Sequence, residues 1–162
     1  MTQSKIRPIH LDDLDGVIEI EQASFPNPWD DSIFFQIAVS GGRYQIDDDS
    51  VVIMYVMGKN GSVNGYIVWE ELKEDKHGHI LNLAVHSDFR KQGRGQRLLS
   101  HSFSSMKRSG METCELEVRE SNHWARHLYE NSGMIAVDRS VGYYESEDAI
   151  IYTITFAKSL SR

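Results

Sequence analysis

A mixed α/β fold, with one central sheet, helices on both its faces and antiparallel outer strands, is what this sequence predicts. Three observations carry that expectation. Apolar strand-like runs alternate with amphipathic helical stretches along the chain. Cap residues (Asp12 or Asp13, Asp30, Asn122) stand before three of the helical stretches, and Gly133 follows the last of them. Two strand-like runs then close the sequence with no helix between them, which makes them antiparallel neighbours.

The elements follow in order. Lys5 to Pro8 reads as a short first strand. Asp12 or Asp13 caps a helix carrying Leu14, Val17, Ile18 and Ala23 or Phe25 at helical spacing, and Asp30 caps a second with Ile33, Phe34, Ile37 and Ala38 on one face. Val51–Met57 and Val63–Leu72 are strands joined by the turn-rich Lys59-Asn60-Gly61-Ser62. Ile80–Val85 is an apolar strand, and a helix from Gly93 or Arg94 to Ser109 carries Leu98, Leu99, Phe103 and Met106. Thr113–Arg119 is a strand, Asn122–Asn131 a helix, and Ile135–Tyr144 and Ala149–Phe156 the final strands.

The chain has 162 residues, enough to bury about two-thirds of the unfolded surface in one core. No linker or repeat is visible, so one domain over residues 1–162 is expected. Seventeen Lys and Arg against 24 Asp and Glu leave a net charge of −7. That balance argues against direct nucleic-acid or anionic-membrane binding and suits a cationic partner. The one cysteine, Cys114, excludes an internal disulfide, and no signal-peptide core or membrane-length apolar run is present, so a reducing cytoplasmic setting is expected.

The most informative segment runs from Leu81 to Leu99. An apolar strand gives way to a loop bearing Gly93 and Gly95 that opens a helix. Arg90, Lys91, Arg94 and Arg97 crowd that helix start, and no acid lies between Phe89 and Arg97. Cations at a helix N-terminus are mildly unfavourable unless an anion offsets them, so the pattern points to a phosphate-bearing ligand. A plain strand-to-helix turn with a solvated basic start is the other reading. The spacing fits neither the Walker pattern nor the dinucleotide fingerprint.

Arg90-Lys91-Gln92-Gly93-Arg94-Gly95 resembles the acetyl-CoA signature R/Q-x-x-G-x-G/A of the GNAT acetyltransferase superfamily, and the flanking Leu83-Ala84-Val85 and Leu98-Leu99 match as well. The resemblance implies the GNAT acyl-CoA N-acyltransferase fold. It also implies that the loop amides from Arg90 to Gln96 cradle the CoA diphosphate and that Leu83, Ala84 and Val85 pair with the pantetheine arm.

A second segment, Leu116 to Met134, adds candidate acid–base groups. Alternation along Glu115–Arg119 turns Leu116 and Val118 to one face and Glu117 to the other. Ala125 stands one turn before Tyr129 and leaves room for a ligand beside the phenol. Alone, Glu117 also reads as a solvated strand residue and Tyr129 as a core aromatic. The run Leu-Glu-Val-Arg-x-Ser-Asn-x-x-Ala-x-x-Leu-Tyr-x-x-x-Gly is similar to that of RimI-like ribosomal-protein N-terminal acetyltransferases and their archaeal relatives. That similarity implies Glu117 as general base and Tyr129 as the acid that protonates the departing thiolate. Asn122, with Ala125 and Tyr129, becomes a cofactor-contacting position, and His79 on the cofactor strand an auxiliary base. Cys114 lies on the opposite face from Glu117, so direct attack in a ternary complex is expected, without an acetyl-cysteine.

Phe25-Pro26-Asn27-Pro28-Trp29 resembles the peptide-groove loop of the same enzymes, and Tyr143 and Tyr144 resemble their tyrosine-bearing hairpin. Phe25, Pro26, Trp29, Tyr143 and Tyr144 are thereby the implied substrate wall. Family members often carry a glycine where this chain has Glu145-Ser146-Glu147. The histidines His77 and His79, or His123 and His127, have spacings a metal could use, but no carboxylate completes a site and no metal is expected.

Taken together, the sequence points to acetyl transfer from acetyl-CoA to the N-terminal α-amine of proteins, ribosomal proteins among the candidate targets, by a monomer or homodimer. Two other readings stay open. One is a GNAT enzyme acting on a small amine, such as a polyamine or aminoglycoside, or on lysine side chains. The other is a non-catalytic CoA-binding regulatory module.

Overall fold

The structure, a computed structural model, describes residues 4–59 and 61–157. Its strands are β1 (Ile6–Pro8), β2 (Arg43–Gln45), β3 (Ser50–Lys59), β4 (Ser62–Leu72), β5 (His77–Val85), β6 (Thr113–Arg119), β7 (Ile135–Tyr144) and β8 (Glu147–Thr155). The helices are α1 (Leu14–Ser24), α2 (Asp31–Val39), α3 (Arg94–Arg108) and α4 (His123–Asn131), with short 3₁₀ turns at Leu11–Asp13 and Ser87–Phe89. Asn60, in the expected β3–β4 turn, lies outside the described residues.

All eight strands join one sheet in the order β1-β3-β4-β5-β6-β8-β7, with β2 also on the β3 edge. Every pairing is antiparallel except β5 with β6. Helices cover both faces, as the alternating pattern requires. On one, Val17 and Ile20 of α1 and Phe34 and Ile37 of α2 bury Met54, Val56, Tyr66 and Val68. On the other, Leu98, Leu99 and Met106 of α3 pack on Val51, Trp69, Leu116 and Tyr152. Each buried side chain of that size contributes about 1.5–3 kcal/mol from apolar burial.

Two irregularities open the sheet at its centre. Val68 pairs with Asn82 but Trp69 pairs with Ile80, so Leu81 is left over as a bulge on β5. The β5–β6 pairing covers only His77–Thr113, Gly78–Cys114 and His79–Glu115, after which the two strands diverge.

Several local details differ from the sequence pattern. Asp13 does not cap α1. The guanidinium of Arg7 captures its carboxylate in a two-pronged ion pair (2.7 and 2.8 Å), and the His10 amide donates to it as well. Burial pushes the Asp13 pKa up, but the Arg7 guanidinium together with the His10 and Gly61 amides outweighs it and leaves the pKa lowered. Asp30 and Asn122 do cap their helices, accepting from the Ser32 and Ala125 amides. β2, three largely exposed residues, is too short and polar to read as a strand. β5 starts at His77, earlier than Ile80, because His77 and His79 alternate with buried Gly78 and Ile80. Among the described residues, no helix is long and apolar enough to cross a membrane.

Candidate active site

The divergence of β5 and β6 creates a cleft. Its walls are Ile80, Leu81, Asn82 and Leu83 from one strand and Leu116, Glu117, Val118 and Arg119 from the other. α4 closes one side with Asn122, Ala125 and Tyr129, and the loop Phe25, Pro26, Asn27 and Trp29 closes another together with Tyr144.

Alternation in β6 is as expected. Cys114, Leu116 and Val118 are buried, whereas Glu115, Glu117 and Arg119 face the cleft side and are half-buried. At the vertex of the opening, His79 Nε2 lies 2.6 Å from Glu117 Oε2. The bond to Glu117 raises the His79 pKa, and burial opposes it only in part. Glu115 and Glu70 add to the rise from the same face. The pair is therefore a hydrogen-bonded acid–base couple that can accept a proton and pass it toward the surface.

Tyr129 is 7% exposed, its ring tilted against Tyr152. Burial above all, and then the neighbouring Tyr144, pushes its pKa well above the usual phenol range, so it carries its proton at neutral pH. Ala125, one turn earlier, leaves the phenol a side open to the cleft. Tyr144 sits beneath the Arg119 guanidinium (4.1 Å), and burial raises its pKa to about 12. Tyr143 packs edge-on against Tyr144 but is 54% exposed and does not line the cleft. Trp29 is held by stacking on Phe34 (5.4 Å). Cys114 is fully buried, and burial raises its thiol pKa to about 12, which leaves it without a nucleophilic thiolate at neutral pH.

A second hollow lies at the start of α3, lined by Val85, Phe89, Arg90, Lys91, Gly93 and Arg94, with Trp124 and His127 of α4 facing them. Gly93 precedes the helix at φ 76°, a left-handed conformation that suits glycine, and Lys91 adopts φ 61°. Gly95 serves another need. A Cβ there would meet Leu128 Cδ2 at 3.1 Å and Trp124 Cζ2 at 3.3 Å, so its absence lets α4 approach α3. The first turn of α3 holds no acid, and its free N–H groups open on a rim of cations. Their donor chemistry suits a diphosphate.

Three of the four cations of this loop border the hollow; Arg97 turns away to donate to the Ser4 carbonyl (2.8 Å). Gln92 does not line it, accepting instead from Arg94, while Ala84 is 2% exposed beneath α1 and α2. Leu83 and Val85 of β5, and Ala125 and Trp124 of α4, bring the two hollows side by side.

Sequence patterning overlooked two contributors. Trp124, not among the residues singled out from the sequence, is 37% exposed, with the Arg90 guanidinium 5.7 Å from its ring centre. Glu21 lines the cleft from α1, and an acid on the same helical stripe as Val17 and Ile20 is the signal that would have found it. His77, one of the candidate ligands, instead contacts Thr113 Oγ1 at 2.7 Å. Among the described residues, no three His, Cys, Asp or Glu side chains gather as a metal site.

Comparison with known proteins places this geometry. A family model described as the acetyltransferase (GNAT) family matches residues 14–134. The chain is 29% identical over 153 residues to the [ribosomal protein bS18]-alanine N-acetyltransferase of Escherichia coli, covering 92% of this chain and 95% of that one. It is 32% identical over 157 residues to an N-alpha-acetyltransferase of Sulfolobus acidocaldarius, covering 91% and 89%. The crystal structure of the Escherichia coli ribosomal-protein-S18-alanine N-acetyltransferase superposes with a TM-score of 0.75 at 27% identity, covering 98% of this chain and 99% of that one.

Proposed function

The chain belongs to the acetyltransferase (GNAT) family, and from that premise we propose that it transfers the acetyl group of acetyl-CoA to the N-terminal α-amine of proteins. The observation that carries the reading is the cleft at the β5–β6 divergence, with the His79–Glu117 couple at its vertex and the buried phenol of Tyr129 on its wall. The relatives, which act on N-terminal amines, support the same substrate class. Ribosomal proteins are the first candidates among targets.

The roles follow from what the reaction requires. The diphosphate of acetyl-CoA would lie on the first turn of α3, among Arg90, Lys91, Gly93, Arg94, Gly95 and Gln96, with Gln92 bracing Arg94. Leu83, Ala84 and Val85 supply backbone to the pantetheine arm, and Asn122 and Ala125 shape its far end. Glu117, assisted by His79, removes a proton from the substrate ammonium. The freed amine attacks the thioester carbonyl, a backbone N–H of the diverging β5 strand donates to the oxyanion, and the C–S bond breaks as Tyr129 protonates the sulfur. The nitrogen gives up its second proton as the amide forms, which restores the Tyr129 phenol and leaves one proton released overall through Glu117.

An α-amine of pKa about 7.8 is roughly 15% neutral at pH 7, against about 0.04% for a lysine near 10.4. One carboxylate–imidazole couple is therefore adequate for an N-terminus. Phe25, Pro26, Trp29 and Tyr144 form a wall suited to a peptide backbone, with Tyr143 buttressing Tyr144. A peptide bearing both a free N-terminus and an internal lysine, incubated with acetyl-CoA and sequenced by mass spectrometry, tests the reading. Acetylation of the α-amine is expected; modification of lysine alone would overturn it.

A further inference from the structure

Glu21 is 2% exposed, yet its carboxylate has no Lys, Arg or His within ion-pair distance among the described residues. A buried acid without a cation is costly, and an apolar side chain would pack α1 at least as well. What satisfies it is a set of three neutral donors from three different elements: the wall loop, β5 and the buried face of β4. The Trp29 backbone amide donates to Oε2 (2.9 Å) from the loop. The Asn82 side-chain amide donates to Oε1 (2.6 Å) from β5, one residue from the bulge at Leu81. The Tyr66 hydroxyl donates to Oε1 from β4.

We infer that Glu21 is a positioning residue that ties the Phe25–Trp29 wall to the bulged segment of β5 and so fixes the width of the cleft. The inference rests on the functional reading above and assigns Glu21 no contact with the reacting atoms. The wall loop carries Pro26 and Pro28, neither of which has an N–H, so it has few backbone donors with which to anchor itself. The bond from the Trp29 amide ties the loop to the Glu21 carboxylate of α1, which side chains of β4 and β5 share. On the β5 side, the bulge removes a ladder bond, and Asn82 restores a fixed point through the same carboxylate.

Length and charge make separable demands. Glu21→Gln keeps an acceptor at the same reach. Its oxygen takes the Trp29 N–H, and its NH₂ donates to the Tyr66 hydroxyl and to an Asn82 amide turned to present oxygen. Glu21→Asp keeps the charge but withdraws it by one methylene, beyond reach of all three donors at once.

The test compares these two variants with the wild type by three readouts: peptide KM against kcat, the Kd of acetyl-CoA by calorimetry, and amide hydrogen exchange over residues 25–29. Glu21→Asp is expected to raise peptide KM about tenfold, to leave the acetyl-CoA Kd within twofold, and to speed exchange in the loop at least tenfold. Glu21→Gln is expected to recover the wild-type KM within threefold and the slow exchange. The reverse order, with Gln impaired and Asp normal, would make Glu21 an electrostatic partner of the substrate and overturn the inference. So would equal losses in KM and acetyl-CoA Kd, or no change in either variant. The exchange readout needs no turnover. A wild type that failed to acetylate peptides would count against the functional reading, while exchange would still decide the role of Glu21.

Discussion

His79 Nε2 and Glu117 Oε2 meet at 2.6 Å across two parallel strands: His79 belongs to the last residue pair that joins those strands, with Glu115, and Glu117 lies two residues beyond it on β6. The contact spans the point where the sheet opens, so the carboxylate is held at the cleft and the imidazole links it to the outer acidic face.

Replacing Glu117 by Gln removes the base and keeps the shape. Turnover should fall by about 100-fold. The deficit should be largest below about pH 7.8, where a substrate α-amine is mostly protonated. A pH–rate profile of both forms is the check.

The same pair makes stability depend on pH. Chiefly through its bond to Glu117, His79 binds its proton more tightly when folded than the unfolded value of about 6.5. The stabilisation is fully present below about pH 6.5 and is lost as pH rises through the higher folded value. Urea unfolding of wild type and His79→Gln across that window should show the variant losing less stability as pH rises.

Tyr129→Phe removes only a hydroxyl from a buried ring. We expect kcat to fall by about 100-fold with peptide KM nearly unchanged, because the phenol acts when the thiolate leaves. Steady-state kinetics with saturating acetyl-CoA would measure the split.

Gly93→Val places a β-branched side chain at φ 76°. Strain of about 1–2 kcal/mol should lower the unfolding free energy, and the disturbed loop should weaken acetyl-CoA binding at least tenfold. Denaturant titration and calorimetry report the two effects separately.

Cys114→Ala should retain acetyl transfer within threefold of wild type, since the buried thiol plays no covalent part. A loss of turnover in this variant would point to an acyl-cysteine instead.

Much of this was legible in one dimension. Strict alternation in Glu115–Arg119 was sufficient to turn Glu117 toward the cleft, and the acid-free basic loop ahead of Leu98 pointed to the place where the structure has a hollow at the start of α3. Features made by pairing were not legible. The bulge at Leu81 depends on how β4 registers against β5, and the divergence of β5 from β6 depends on where parallel pairing stops. Local pattern also cannot rank competing partners. Asp13 has the look of a cap, yet Arg7, six residues earlier, binds it more strongly than a helix amide would. Trp124 is apolar in type but faces the anion loop, because the missing Cβ of Gly95 lets α4 come close.

The most direct measurement is a crystal structure with a bisubstrate analogue, CoA joined through an acetyl linker to the α-nitrogen of a short peptide. The account predicts the diphosphate on the α3 N-terminus at Gly93–Gln96, the linker between β5 and β6, and the α-nitrogen within reach of Glu117. A diphosphate bound elsewhere, or a nitrogen remote from Glu117 and His79, would contradict it.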